Sequence, residues 1–275
     1  MSTRRELSKQ VPATIVEGYA VERKIALMSK KSQHQIETLI STWNRVADAY
    51  NDIDYHGPDH KANLQILLEC TGDPREKTCC EVGSGSGTTS AILASLGASV
   101  MLIDCAPKAL RFAMSLFKKL HIEGDFCQMD AFQLGISDAS FDVVWNGGVI
   151  EHFDDTRKVK LIREMWRILK PGGVLWIQAP SRFDLPFVLY KSITEWRGSW
   201  PYGFEDDLTP SRLNDLCRQA DLHNVKIFSY NPIVGWWFIP FGKIITQKLG
   251  LNPARLHAKR SRRGHVVCMT AHKPE

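Results

Sequence analysis

From residue 78 onward, short apolar runs take turns with segments whose apolar positions recur three and four apart, so strand and helix patterns alternate. Thr78–Val82, Ser99–Asp104, Phe141–Asn146 and Val174–Ala179 read as buried strands, with a shorter one at Asp125–Met129. Helices are predicted over Thr88–Leu96, Pro107–Leu120 and Thr156–Leu169, the last with Val159, Leu161, Ile162, Met165, Trp166 and Leu169 on its buried side. Lys170-Pro171-Gly172-Gly173 reads as a turn. A helix over Pro210–Ala220, capped by Thr209 or Ser211, leads to strands at Val225–Tyr230 and His265–Ala271. This order predicts a doubly wound α/β fold, a Rossmann-like parallel sheet of about seven strands with helices on both faces.

Residues 1–70 carry no convincing strand pattern. Ile36, Leu39, Ile40, Trp43, Val46 and Ala47 recur at helical spacing, as do Leu64, Ile66, Leu67 and Leu68, with breaks at Asn51-Asp52 and Gly57-Pro58. The chain therefore divides into an N-terminal helical layer (1–70) and an α/β domain (71–275). Two long connections depart from simple alternation, at 180–208 and 231–264. Both are rich in aromatic residues, among them Trp196 and Trp200 in the first and Trp236 and Trp237 in the second. Long connections of this kind commonly serve function, and aromatic content argues against disorder, except over 255–264.

Between the first strand and its helix lies Glu81-Val82-Gly83-Ser84-Gly85-Ser86-Gly87-Thr88, with glycines at alternate positions. Glycine tolerates positive φ and carries no Cβ, so this backbone can press against a ligand, while amides at the helix start can face its polar groups. The dinucleotide pattern started at Gly83 requires Gly or Ala at position 88, and Thr88 stands there. Asp104 ends the second strand at the spacing of an acid that binds ribose hydroxyls.

Composition sets the bounds. The 275 residues are 44% hydrophobic and 24% charged, ordinary for a globular chain with one sizeable core. No stretch reaches the ~18 consecutive apolar residues of a membrane span, and the charged start lacks the apolar run of a secretory signal, so a cytosolic protein is expected. The seven cysteines form no C-x-x-C pair, which favours reduced structural thiols. Residues 241–275 hold eight Lys/Arg against Glu275 alone, leaving 27 basic and 29 acidic residues elsewhere. The basic character is local, and nucleic acid is not the expected partner.

Acid-x-Gly-x-Gly-x-Gly at Glu81–Gly87 resembles the motif of class I S-adenosylmethionine (SAM) methyltransferases, of the small-molecule type. The resemblance extends to Asp104, to Asp130-Ala131 after the third strand, to Phe141–Phe153, and to the turn at 170–173; Trp43–Asn51 and 209–230 match loosely. It implies a Rossmann-like fold and SAM as cofactor, with S-adenosylhomocysteine as product. It also implies a cofactor site of Glu81, Gly83, Ser84, Gly85, Gly87, Asp104, Asp130, Ala131 and Asn146. Asp130 and the Ala131 amide would meet the adenine, and Asn146 the methionine portion. In this family a segment like 43–51 closes over the cofactor, with packed core aromatics as the plain alternative.

Methyl transfer is an in-line displacement that needs alignment and exclusion of water more than a covalent nucleophile. An acceptor that must lose a proton could use His152 as base, with Glu151 as a weaker choice and helix-start packing as the structural alternative. Tyr50, His152, Trp196 and Trp236 are the expected acceptor contacts, and the aromatic connections point to a small apolar or aromatic acceptor. His56-Gly57-Pro58-Asp59-His60 does not read as a metal site, because Gly-Pro prevents a shared helical face and no third ligand is apparent. No metal is expected. Two other readings stay open: an RNA or protein methyltransferase anchored by Lys259–Arg263, and a SAM-binding protein without catalysis. The segment 236–263 either covers an apolar acceptor or touches an anionic membrane, and covering the acceptor is the preferred reading. Oligomeric state is not legible.

Overall fold

The computed structural model describes residues 30–50, 58–251 and 258–275. The breaks read at Asn51-Asp52 and Gly57, the residue His56, the charged start and Arg255 lie outside the described residues. Among the described residues two helices come first, α1 (Lys30–Ala47) and α2 (Pro58–Thr71). Then follow β1 (Thr78–Val82), α3 (Thr88–Ser95), β2 (Ser99–Asp104), α4 (Pro107–Leu120), β3 (Asp125–Gln128) and β4 (Phe141–Gly147). The second half contains α5 (Asp155–Ile168), β5 (Leu169–Pro180), α6 (Leu185–Trp196), α7 (Pro210–Gln219), β6 (Lys226–Tyr230), α8 (Gly242–Lys248) and β7 (Val266–His272).

The seven strands form one sheet in the order β3-β2-β1-β4-β5-β7-β6. Five neighbours run parallel from β3 to β5, and β7 lies antiparallel between β5 and β6. The parallel expectation thus fails at this edge. β6 and β7 are direct neighbours, and antiparallel neighbours need no crossover helix between them. Lys170–Gly173 falls within the span of β5 but outside its ladder: the pairing to β4 jumps from Phe141↔Leu169 to Val143↔Val174, so these four residues form the expected turn as an irregularity in the strand, with Gly172 at φ +75°.

Strand alternation sends side chains to two cores. On one face Val82, Ile103, Val144 and Ile177 pack with Leu161, Ile162 and Met165 of α5 and Leu213 and Leu216 of α7. On the other, Leu102, Val143, Trp145 and Trp176 pack with Ile66 and Leu67 of α2 and Phe117 of α4. Each fully buried aliphatic or aromatic side chain here contributes about 1.5–3 kcal/mol. Local signals set the helix starts: Asp154 accepts the Arg157 amide at 2.9 Å to begin α5, and Thr209 accepts the Arg212 amide to begin α7. All seven cysteines are unpaired thiols, five of them buried.

Candidate active site

The carboxyl ends of β1, β2, β4 and β5 open into a cavity of about 1250 Å³. Its floor is largely backbone. Gly83 and Gly87 have φ +75° and +69°, and a Cβ at either would collide, at Gly83 with Val149 at 2.4 Å and at Gly87 with Leu102 at 2.6 Å. A Cβ on Gly85 would lie 3.0 Å from the Tyr50 hydroxyl, so the loop meets a residue just beyond α1 across a narrow gap. Beside the loop, Asp104 is buried and accepts the Gly85 and Ala106 amides, each at 2.8 Å. Burial raises its carboxyl above the ordinary value, although these backbone donors oppose the shift. Glu81 accepts the Ser90 hydroxyl at 2.5 Å, tying β1 to α3, and burial pushes its carboxyl up to about 7. Asp130 lines the cavity while its Oδ1 accepts the Phe132 amide at 3.0 Å, so it is both a turn residue and a cavity residue.

The roof is made of side chains. Trp43 of α1 meets the His152 ring edge-on at 4.9 Å and lies 6.2 Å from Tyr202; Phe153 and Phe204 complete this wall. His152 sits at the end of a 3₁₀ turn (Ile150–His152) that follows β4. Its Nδ1 lies 2.9 Å from the Phe204 carbonyl, which can only accept, so Nδ1 carries the hydrogen and Nε2 is the lone-pair nitrogen. Burial lowers its pKa to about 4. Glu151 Oε1 stands 3.9 Å from Nε2, and burial raises that carboxyl well above its usual range.

The chain that supplies Tyr202 and Phe204 is held by buried charge. Lys191 of α6 donates to the Glu205 carbonyl at 2.6 Å and to Asp207 at 2.9 Å, and the Asp206 amide donates to the Glu151 carbonyl. Lys158, fully buried on α5, pairs with Asp206 and with Asp155. Pairing of this kind is what makes buried lysines tolerable.

A family model described as "Methyltransferase domain" matches residues 80–177. The ubiquinone biosynthesis O-methyltransferase of Cereibacter sphaeroides is 31% identical over 192 residues, covering 66% of this chain and 73% of that protein. The protein of the same name from Ruegeria pomeroyi is 31% identical over 165 residues, and the chain spans 66% of its length. The chain belongs to the class I SAM-dependent methyltransferases. Its fold is shared with a SAM-dependent methyltransferase of Thermotoga maritima, described as a possible histamine N-methyltransferase (TM-score 0.60, 18% identity, covering 85% of this chain and 99% of that one). It is shared too with a Haemonchus contortus phosphoethanolamine N-methyltransferase holding S-adenosylhomocysteine (TM-score 0.58, 17% identity, 78% and 53% covered).

The floor of this methyltransferase fits SAM. A tight glycine turn that packs against Val149 and Leu102, a buried carboxylate beside it, and a buried Ser84 hydroxyl with no protein partner are what a polar, ribose-bearing cofactor needs. Of the residues expected at the site, Glu81, Gly83, Ser84, Gly85, Asp104, Asp130, Ala131, Tyr50 and His152 line one cavity. Gly87 acts through its turn.

Three residues lie elsewhere. Asn146 is fully buried with its amide 3.4 Å from Met165 Sδ on the α5 face, because Val144 and Asn146 share one side of β4 while Trp145 and Gly147 share the cavity side. Trp196 is 85% exposed at the end of α6, outside the cavity. Trp236 also lies outside, since the turn Val234–Phe238 packs on α6 through Phe187–Phe238 and Tyr190–Phe238 contacts at 5.1 and 5.3 Å.

Sequence reasoning missed Gln178, which faces the cavity from the carboxyl end of β5 and bonds the Tyr230 hydroxyl, itself shared with Asn63. Its place at a parallel strand end was the available signal. Tyr202 and Phe204 were visible only as part of an aromatic-rich connection. Among the described residues, no His/Cys/Asp/Glu group is placed to hold a metal ion.

Proposed function

We propose that this methyltransferase methylates a hydroxyl oxygen on a small, ring-bearing and largely apolar acceptor, a phenol or catechol. The supporting observation is that His152, with Nε2 as its acceptor atom, shares one cavity with the glycine floor and an aromatic roof of Trp43, Phe153, Tyr202 and Phe204. The names of the two bacterial relatives point the same way, toward O-methylation.

SAM supplies an electrophilic methyl on a sulfonium. In this reading Asp104, the Ser84 hydroxyl and Asp130-Ala131 hold that cofactor, while Tyr50 and Trp43 exclude water above it. The aromatic roof holds the acceptor ring by face and edge contacts. The hydroxyl proton passes to His152 Nε2 as the oxygen–carbon bond forms, and the Phe204 carbonyl keeps the ring in the tautomer that can receive it. The burial that keeps His152 neutral also makes it a weak base. The acceptor that suits it is already acidic, which favours a phenol over an aliphatic alcohol.

The test is S-adenosylhomocysteine release across matched sets of phenols, amines and aliphatic alcohols, with the methylated atom identified by mass spectrometry and NMR. Turnover on phenols that falls with His152→Ala is expected. Methyl transfer to nitrogen, or to RNA or protein alone, would overturn the reading.

A further inference from the structure

α6 turns large apolar side chains outward while it buries Phe187 and Lys191. Its inward face carries Lys191, held by Asp207, while Leu185, Leu189, Ile193 and Trp196 form one stripe of exposed side chains four, four and three residues apart. The next connection extends the stripe. Phe238 packs on Phe187 and Tyr190 of α6, and beyond it Phe241, Ile244, Ile245 and Leu249 are exposed on and around α8. Large apolar side chains contiguous over two elements are uncommon on a surface that faces only water.

The charge around this face is mostly basic. Residues 231–264 contain seven Lys/Arg and no Asp or Glu. Lys243 sits over the Trp237 ring at 5.5 Å, an ammonium reaching out beside an aromatic body. Lys259, Arg262 and Arg263 are exposed, and the run is joined to the face through His265, which meets the Phe187 and Phe238 rings at 4.7 and 5.9 Å. The one acid on α6 is Glu195, and Asp184 before it is buried against His265. The face also connects to the site, since a file of rings runs from Trp43 through Tyr202, Trp200 and Phe187 to Phe238, each within 6.2 Å of the next.

We propose that the exposed faces of α6 and α8 form a docking surface for an anionic lipid bilayer. The aliphatic and aromatic side chains enter the headgroup–acyl boundary and the basic run meets lipid phosphates. Among the described residues no helix is long and apolar enough to cross a membrane, so the contact is peripheral. A bilayer explains together an apolar stripe with a single acid, Glu195, beside it, basic residues at its border, and aromatic rings leading to the cavity. This deepens the proposed function by naming where an apolar acceptor is collected, and it rests on that reading only for the acceptor's route.

Flotation of the full chain with vesicles of phosphatidylglycerol and phosphatidylcholine, against pure phosphatidylcholine, tests it. Two variants accompany the wild type: Leu189→Ser/Ile193→Ser/Phe241→Ser/Ile244→Ser and Lys259→Ser/Arg262→Ser/Arg263→Ser. All seven positions are exposed, and Trp196→Ser alone serves if the fourfold variant fails to fold. The wild type is expected to float with the anionic vesicles, less so at high salt, and both variants to lose about tenfold or more of the bound fraction. SAM affinity and turnover of a water-soluble catechol should stay unchanged. Absence of flotation, equal flotation of variants and wild type, or a dimer in light scattering that the apolar variant dissociates would overturn the proposal, the last in favour of a second copy on this face. Intact flotation without methylation of any phenol would strike the proposed acceptor class and leave the docking surface standing.

Discussion

The floor and the roof of the cavity are built by opposite means. The floor is backbone at fixed spacing, with Gly83, Gly85 and Gly87 turned by positive φ and Asp104 fastened to two amides. The roof is side chains, delivered by α1 and by a connection held through Lys191, Lys158 and the Glu151 carbonyl. A backbone floor suits a ligand that never changes. A side-chain roof can be altered residue by residue without disturbing the turn beneath it, so acceptor choice can diverge while the cofactor stays the same.

Substitutions should separate the two. His152→Ala should cut kcat by roughly 10²–10⁴, the range for a positioned acid/base, with SAM affinity unchanged. Paired stopped-time assays and calorimetry check both, and a loss below about tenfold would leave His152 a packing residue. The pH profile carries the same point. His152 works unprotonated, and burial lowers its pKa to about 4, so the acid limb of kcat/KM should fall near 4 and the rate should be level through ~6.5. Unfolded histidine titrates near ~6.5, so this group should cost the folded protein stability as pH falls from there toward 4, where the unfolded chain binds a proton that the fold refuses.

Asp104→Ala breaks the floor. It should weaken SAM binding by roughly 10–100-fold, the worth of hydrogen bonds to a charged acceptor, and leave acceptor KM at saturating SAM almost unchanged. Phe204→Ala touches the roof alone. Acceptor KM should rise about three- to tenfold, the worth of one aromatic contact, with SAM affinity held. Trp196→Ala should be the smallest, with every kinetic constant on a soluble acceptor within about twofold, because its ring stands outside the cavity.

The same contrast explains what could be read from the chain. Glycine spacing and a strand-end acid are properties of neighbouring positions, so the floor was legible. Asn146 was misplaced because β4 is buried on both faces, and such a strand hides which residues face the ligand. Trp196 and Trp236 were misplaced for another reason. Aromatic content shows that apolar contact is sought, but whether the partner is an acceptor, a neighbouring helix or a surface depends on helix orientation, which only packing sets. The reversal of β7 was equally hidden, since antiparallel and parallel strands share a residue pattern when buried on both sides.

That reversal also bears on how the protein is made. Among the described strands β6 has β7 as its one neighbour, and β7 pairs with β5 along seven residues from Val174↔His272 to Pro180↔Val266. A nascent chain can assemble β1 through β5 as they emerge from the ribosome, but β6 must wait without a partner until residues 266–272 appear. Throughout that interval β5 presents an open edge, a template for pairing with another chain. Completing the sheet therefore waits on residues 266–272, and a chain stopped before residue 266 would carry both an unpaired strand and a sticky edge.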